Sequence, residues 1–293
     1  MKIKKYFFLF LLFLLPQLST ADGKNDKKII PTKDILTGTI LEKNKKTPIA
    51  GAVVEIKNKN LGVGYYKTTT DKEGNFKIDD FLTQIDYNIE IIADGYVTYT
   101  GNLKGNNYKF YLQKEVVVYG KVLNSKQEPL EGVEVQGFDY YSYGRARKTF
   151  IARTDKNGEY SLAKLPSSTY NLSFSKTGFI TETAITQNIG SGEKFRLPMQ
   201  LFHPAGISGK LSIDLEGEKE PARNVQVQLS GKANHVNYSF DNGYYNIEDI
   251  KPGNYKVSYI HRGFEKLVIE DLEIKEGQKI QELNQSLKPL EPF

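Results

Sequence analysis

Three histidines, His203, His235 and His261, are all the imidazole chemistry available to a chain of 293 residues that contains no cysteine. A zinc peptidase needs two histidines and a glutamate converging on one metal, with a further glutamate as base. No His-x-x-Glu pair occurs, and the three fall in unlike places: His203 in a linker, His235 in a loop, His261 at a strand end. The lack of cysteine closes disulfide frameworks, thiolate metal sites and cysteine nucleophiles together. The expectation is an ordinary polar role for each histidine, with no catalytic residue, no metal and no cofactor.

Two other patterns invite chemistry and resolve into turns. Asp71-Lys-Glu-Gly74 and Asp155-Lys-Asn-Gly158 resemble fragments of a calcium loop, but such a loop spreads five or more oxygen ligands over about twelve residues. Here one or two acids stand beside a glycine, which suits a carboxylate accepting backbone N–H bonds and a residue of positive φ closing a hairpin. Gly62-Val-Gly64 has no helix after it and makes no dinucleotide site. No serine sits in a Gly-x-Ser-x-Gly elbow.

One stretch stands apart. Phe138-Asp-Tyr140-Tyr141-Ser-Tyr143-Gly-Arg145-Ala-Arg147 gathers aromatic faces and guanidinium groups in a segment longer than its counterparts elsewhere in the chain. Tyr140, Tyr141, Tyr143, Arg145 and Arg147 are therefore the candidate ligand-binding residues, fit for sugars, peptides or acidic partners. The competing reading is that alternating Tyr141 and Tyr143 extend a core strand and the arginines solvate its edge. The absence of tryptophan weakens the sugar version.

The elements that must position this loop repeat three times. An apolar-Gly strand opens each copy, at Leu36-Thr-Gly38, Val118-Tyr-Gly120 and Ile207-Ser-Gly209, at offsets of 82 and 89 residues between the glycines. A proline-led strand follows from Pro48, Pro129 and Pro221, with the period-two alternation of a half-buried strand. Next come the turns Thr70-Asp71 to Phe76, Thr154-Asp155 to Tyr160, and Phe240-Asp241 to Tyr245, where Phe240 takes the threonine's place. Tyr87 to Tyr96, Tyr170 to Phe179 and Tyr255 to Phe264 close the copies, and Pro252-Gly253 has the order of a type II turn. Short strands with turn signals between them and no helical periodicity indicate β-sandwiches.

The order apolar-x-Gly, Pro-x-x-Gly-Val-x-Val, Thr-Asp-x-x-Gly-x-aromatic, Leu165-Pro166-x-x-x-Tyr170 and Gly-aromatic resembles the carboxypeptidase regulatory-like domain. The likeness spans about residues 35 to 290 and is best in the second copy. It implies an all-β chain of three tandem seven-strand Greek-key, transthyretin-like β-sandwich domains. In that family the module accompanies metallocarboxypeptidases, precedes outer-membrane receptor barrels and forms tandem arrays on bacterial surface proteins.

The start of the chain reads as an address. A basic Met1 to Lys5, an apolar run from Phe7 to Leu15 and small residues ending at Ala21 make a secretory signal peptide, too short in its apolar run to span a bilayer. Removing residues 1–21 takes away Lys2, Lys4 and Lys5 and no acid, so the formal charge falls from +5 to +2. With lysine interleaved among acids, nucleic acid is set aside as a partner. The expected organisation is signal peptide 1–21, polar linker 22–34, and domains at 35–114, 115–202 and 203–290. The expected function is a non-enzymatic secreted, periplasmic or cell-surface module for binding, adhesion or spacing, not an integral membrane protein, whose partner is a protein or polysaccharide of the bacterial envelope. The alternative is a carbohydrate-binding, starch-binding-like protein of a polysaccharide system. Oligomeric state is left open.

Overall fold

The computed structural model describes residues 32–58, 64–83, 86–103, 105, 107–141, 148–215 and 218–290. The signal-peptide segment, Tyr143, Arg145 and Arg147 lie outside these residues. Every regular element among the described residues is a β-strand, and no helix there is long and apolar enough to cross a membrane.

The first unit runs β1 (Lys33–Glu42), β2 (Val53–Asn58), β3 (Tyr65–Thr69), β4 (Asn75–Leu82), β5 (Tyr87–Ile92), β6 (Tyr99–Leu103) and β7 (Asn107–Leu112). Its two sheets have orders β4-β1-β7 and β3-β2-β5-β6, with β1 antiparallel to β4 and parallel to β7. The second comprises β8 (Val116–Leu123), β9 (Glu134–Asp139), β10 (Thr149–Arg153), β11 (Glu159–Leu165), β12 (Tyr170–Ser175), β13 (Glu182–Ile185), β14 (Lys194–Arg196) and β15 (Met199–Gln200). Its sheets are β10-β9-β12-β13 and β11-β8-β14, with β15 also on β8. The third comprises β16 (Ala205–Leu215), β17 (Glu218–Pro221), β18 (Gln226–Gly231), β19 (His235–Tyr238), β20 (Tyr244–Ile250), β21 (Gly253–Ile260), β22 (Leu267–Ile274), β23 (Lys279–Ile280) and β24 (Gln285–Leu287). There β19-β18-β21-β22 faces β17-β16-β20, and β23 and β24 pair in parallel with β16. The seven-strand plan is literal in the first unit. In the others the last strand is broken in two, and the third adds the edge strand β17.

Each unit closes on its own core, because alternate strand residues point inward from both sheets. Leu36, Ile56, Phe76 and Ile91 represent the first cluster, Val118, Val135, Leu162 and Phe174 the second, and Ile207, Val227, Tyr245 and Val257 the third. The aromatic two residues after each turn glycine, Phe76, Tyr160 or Tyr245, is buried.

A buried hydroxyl ties the turn to the loop leading into β2, β9 or β18 in every unit. Thr70 Oγ1 accepts the Ala52 N–H at 2.9 Å and donates to the Ile49 carbonyl at 2.7 Å. Thr154 repeats this with Val133 and Leu130, and Ser239 with Val225 and Ala222. Ser239 is thus the counterpart of the threonines, and the expected alignment of Phe240 with them is one residue out. The turn bonds agree: Gly74 N–H donates to Asp71, Gly158 to Asp155, and Gly243 to Phe240. Phe240 stands where the siblings have aspartate.

A second repeated feature escaped the sequence reading. Asp80, Lys164 and Asp249 take positive φ of 57°, 61° and 55° where β1–β4, β8–β11 and β16–β20 each shift register. These bulges carry no glycine signal. Pro252-Gly253 is not the type II corner expected, since Gly253 has φ 156° and begins β21. The Leu-Pro-x-x-x-Tyr motif has a mechanical use: Tyr170 Oη donates to the Pro166 carbonyl at 2.5 Å, and Tyr255 Oη donates to that of Lys251 at 2.9 Å.

Successive units touch across short connections. At the first junction Lys164 Nζ donates to the Ala93 carbonyl at 3.0 Å, and Glu115 accepts the Lys164 N–H at 2.8 Å. At the second, the Glu276 carboxylate accepts the Ser125 hydroxyl and, at 2.7 Å, the His203 N–H. Lys251 and the buried Glu182 form an ion pair at 2.6 Å between the third and second units. Burial pushes the Glu276 carboxyl up, but the bonds from Ser125 and His203 outweigh it and hold its pKa below the ordinary value.

Candidate functional site

The tyrosine segment of the second unit leaves β9 after the Phe138–Thr149 pair. Asp139 turns it: its carboxylate accepts the Tyr141 N–H at 3.0 Å and the Ser168 hydroxyl at 2.8 Å, an Asx-type arrangement that bends the chain locally. The Tyr140 N–H donates to the Thr169 carbonyl at 2.9 Å. The rings of Tyr140 and Tyr141 meet edge to face, 5.4 Å apart at 87°. Tyr141 is 71% exposed and lies beyond the strand, so it does not extend a core strand. Of the five candidate residues the structure places these two together.

Strand pairing sets a wider surface beside them. In a strand alternate residues share a face, and the register puts Thr149, Phe138, Asn171 and Ile185 in one row and Ile151, Gln136, Ser173 and Thr183 in the next. This outer face is uncharged over both rows, and the Glu134–Arg153 ion pair stands at its end. The corresponding face of the first unit is charged instead. There Glu55 binds Lys67 at 2.9 Å and Lys57 at 3.2 Å, and these bonds hold the Glu55 carboxyl below its ordinary pKa. The second unit's face was not identified from sequence. Its signal was present as the polar half of the period-two alternation, which was read only for the core.

Behind the face, Tyr170 is buried, and burial together with the nearby Asp139 charge pushes its phenol up, so it stays protonated. It is a fastening for the Pro166 corner and does not act as a base.

The histidines are dispersed. His203 stacks on Phe179 at 4.1 Å, with Nδ1 2.8 Å from the Gly178 carbonyl. His261 lies against Phe264 with Nδ1 3.0 Å from the Arg262 carbonyl. His235 is the first residue of β19 and not in a loop; burial lowers its pKa, with Asp249 opposing. Among the described residues no three His, Asp or Glu side chains stand close enough to share a metal ion. The turn carboxylates are engaged by backbone: Asp71 Oδ1 accepts from the Glu73 and Asn75 N–H groups at 3.0 and 2.7 Å, and Asp155 Oδ1 accepts from Asn157 and Glu159 at 2.8 and 2.9 Å.

Comparison with known proteins adds a family. The model of the carboxypeptidase regulatory-like domain matches residues 35–107 and 117–201. No curated protein matches the chain. Among solved structures, the Bacillus anthracis TIE protein is similar at 16% identity with a TM-score of 0.29, over 87% of this chain and 51% of its own. This chain thus spans about half the length of that protein. A streptococcal ancillary pilin is similar at 13% identity and TM-score 0.31, covering 88% of this chain and 100% of its own. The minor pilin of Streptococcus agalactiae gives 12% and 0.30, covering 60% and 97%.

Proposed function

From the premise that the chain belongs to the carboxypeptidase regulatory-like domain family, we propose that it is an exported, non-enzymatic array of three sandwich units at the bacterial envelope. In this reading it acts as a spacer, with a binding site on its second unit for a protein or polysaccharide. The observation that carries it is how the repeated polar residues are used. Thr70, Thr154 and Ser239 bind backbone inside the fold, as do Asp71 and Asp155 in the turns. Groups engaged in holding the frame are not free for chemistry, so recognition falls to what differs between copies.

Tyr140 and Tyr141 are the second unit's own contribution, the face beside them lacks the ion pairs of the first unit's, and Tyr143, Arg145 and Arg147 continue the same segment. Export rests on the N-terminal pattern ending at Ala21. The amides and hydroxyls of Gln136, Asn171, Thr149 and Ser173 favour a neutral glycan as the second reading, since such groups both donate and accept.

A glycan array probed with the exported protein separates the two partner classes. Replacing Tyr140 and Tyr141 by alanine is expected to leave melting within about 0.5 kcal/mol of wild type, because both are exposed, and to weaken binding by about 1–2 kcal/mol per anchor. Unchanged affinity in a folded variant would place the site elsewhere.

A further inference from the structure

Each of the turns at Gly74, Gly158 and Gly243 crosses from one sheet to the other, an arch and not the hairpin expected from Asp-x-x-Gly. The shared turn bonds align the three arches residue by residue, and the outward positions of the third are unlike those of its siblings. Lys67, Thr69, Asp71 and Asn75 in the first unit become Ile151, Arg153, Asp155 and Glu159 in the second. In the third they are Val236, Tyr238, Phe240 and Tyr244, exposed by 53%, 52%, 59% and 36%. Phe240 and Tyr244 lie 6.4 Å apart with ring planes at 10°. The exchange has a structural cost: Asp71 and Asp155 each accept two turn N–H groups, whereas in the third turn Asn242 accepts one, from Tyr244 at 3.0 Å. Losing a turn bond and exposing aromatic surface both work against a turn left alone in solvent.

The strand beside this stripe is also an open edge. β19 ends its sheet, with β18 on one side. Ser239 bonds Val225 and Asn224 through its N–H and carbonyl, so by alternation the amides of Val236 and Tyr238 face away from β18. The Tyr238 N–H is held at 2.8 Å by the side-chain oxygen of its neighbour Asn237, a bond that a pairing strand would replace. Sheet edges are usually guarded by charge. The sibling edges follow that rule, with Lys67 on β3 and Arg153 on β10, while β19, His235-Val-Asn-Tyr238, carries no Asp, Glu, Lys or Arg.

We propose that β19 is a homotypic docking edge, on which two copies of the chain pair β19 to β19, antiparallel about Asn237. That register sets Val236 of one copy against Tyr238 of the other, an aliphatic-aromatic pair, and joins two four-stranded sheets into one. Phe240 and Tyr244 flank the seam. A second copy suits this edge because the strand is its own complement: about Asn237 the two-fold opposes valine to tyrosine twice, Asn237 to itself, and no charge to a like charge. It also distinguishes this edge from β3 and β10, whose cations would approach one another in the same arrangement.

Sedimentation velocity of the exported protein tests this. Wild type is expected to dimerise below about 100 µM, a weak but specific range. A variant carrying the first unit's residues, Val236→Lys, Tyr238→Thr, Phe240→Asp and Tyr244→Asn, is expected to be monomeric with melting unchanged or raised. Ile151→Lys, at the matching position of β10, should leave the dimer intact. Should the fourfold variant misfold, Val236→Lys alone carries the comparison, with dimer affinity expected to fall at least about tenfold. A wild-type monomer throughout that range would overturn the proposal, whatever else this edge binds, as would a dimer that persists in the folded variants.

Discussion

The β3–β4 turn of the first unit and the β19–β20 turn of the third, each crossing from one sheet to the other, share one skeleton and present opposite chemistry to solvent. Both hang on a buried hydroxyl, Thr70 or Ser239, and on a glycine whose φ is 76° in each. Outside that skeleton one shows lysine, threonine, aspartate and asparagine, and the other valine, phenylalanine and two tyrosines. Positions that hold backbone groups are constrained by geometry, so they repeat. Positions facing water are free of that constraint, and in the third unit four of them depart together toward apolar and aromatic side chains.

The largest effect that could break this comparison is at the shared glycine. A Cβ on Gly243 would lie 2.2 Å from the Leu211 carbonyl oxygen, and one on Gly74 would lie 2.6 Å from that of Ile40, each at a φ that side chains avoid. Alanine at either site is expected to cost roughly 2–5 kcal/mol in urea unfolding, from strain and overpacking combined. A cost at Gly74 with none at Gly243 would show that the two turns do not share a frame.

Removing the hydroxyl should cost less, though more than its one side chain suggests. Thr154→Val and Ser239→Ala each leave a buried N–H and a buried carbonyl without their partner, and about 1–3 kcal/mol is expected for each group left unpaired. Calorimetry giving the same loss in both variants would confirm that Ser239, and not Phe240, is the threonine's counterpart.

The smallest effect sharpens the contrast. Phe240→Asp supplies the third turn with the acceptor its siblings use and should raise stability by about 0.5–1.5 kcal/mol. Asp71→Phe should lower that of the first unit by a similar amount. If Phe240→Asp destabilises instead, the ring is a packing residue of the turn and its exposure has no bearing on a partner.

The fold was largely legible in the sequence, because sandwich strands announce themselves through alternation and their turns through glycine. Gly74, Gly158 and the aromatic two residues beyond each did what those residue types do. Three features stayed hidden for physical reasons. The bulges at Asp80, Lys164 and Asp249 require positive φ from residues whose types do not signal it. Ser239 was passed over because a hydroxyl acts by where it is buried, and the neighbouring Asp241 drew the alignment one place along. The outer face of the second unit depends on register between strands, which no single strand reveals. The Tyr140-Tyr141 pair was found from composition alone, while the turn that exposes it depends on Asp139 and Ser168, which are 29 residues apart.

Small-angle scattering on the exported protein tests the proposed array most directly. Units whose longer strands run seven or eight residues at about 3.3 Å each, with their connecting loops, measure roughly 25–35 Å, so three in file should give a maximum dimension of about 80–100 Å per chain. Dimerisation through β19 would lengthen or thicken the particle, and the monomeric fourfold variant removes that contribution. An elongated profile of that length is expected. A compact globule would contradict the reading of the chain as a spacer.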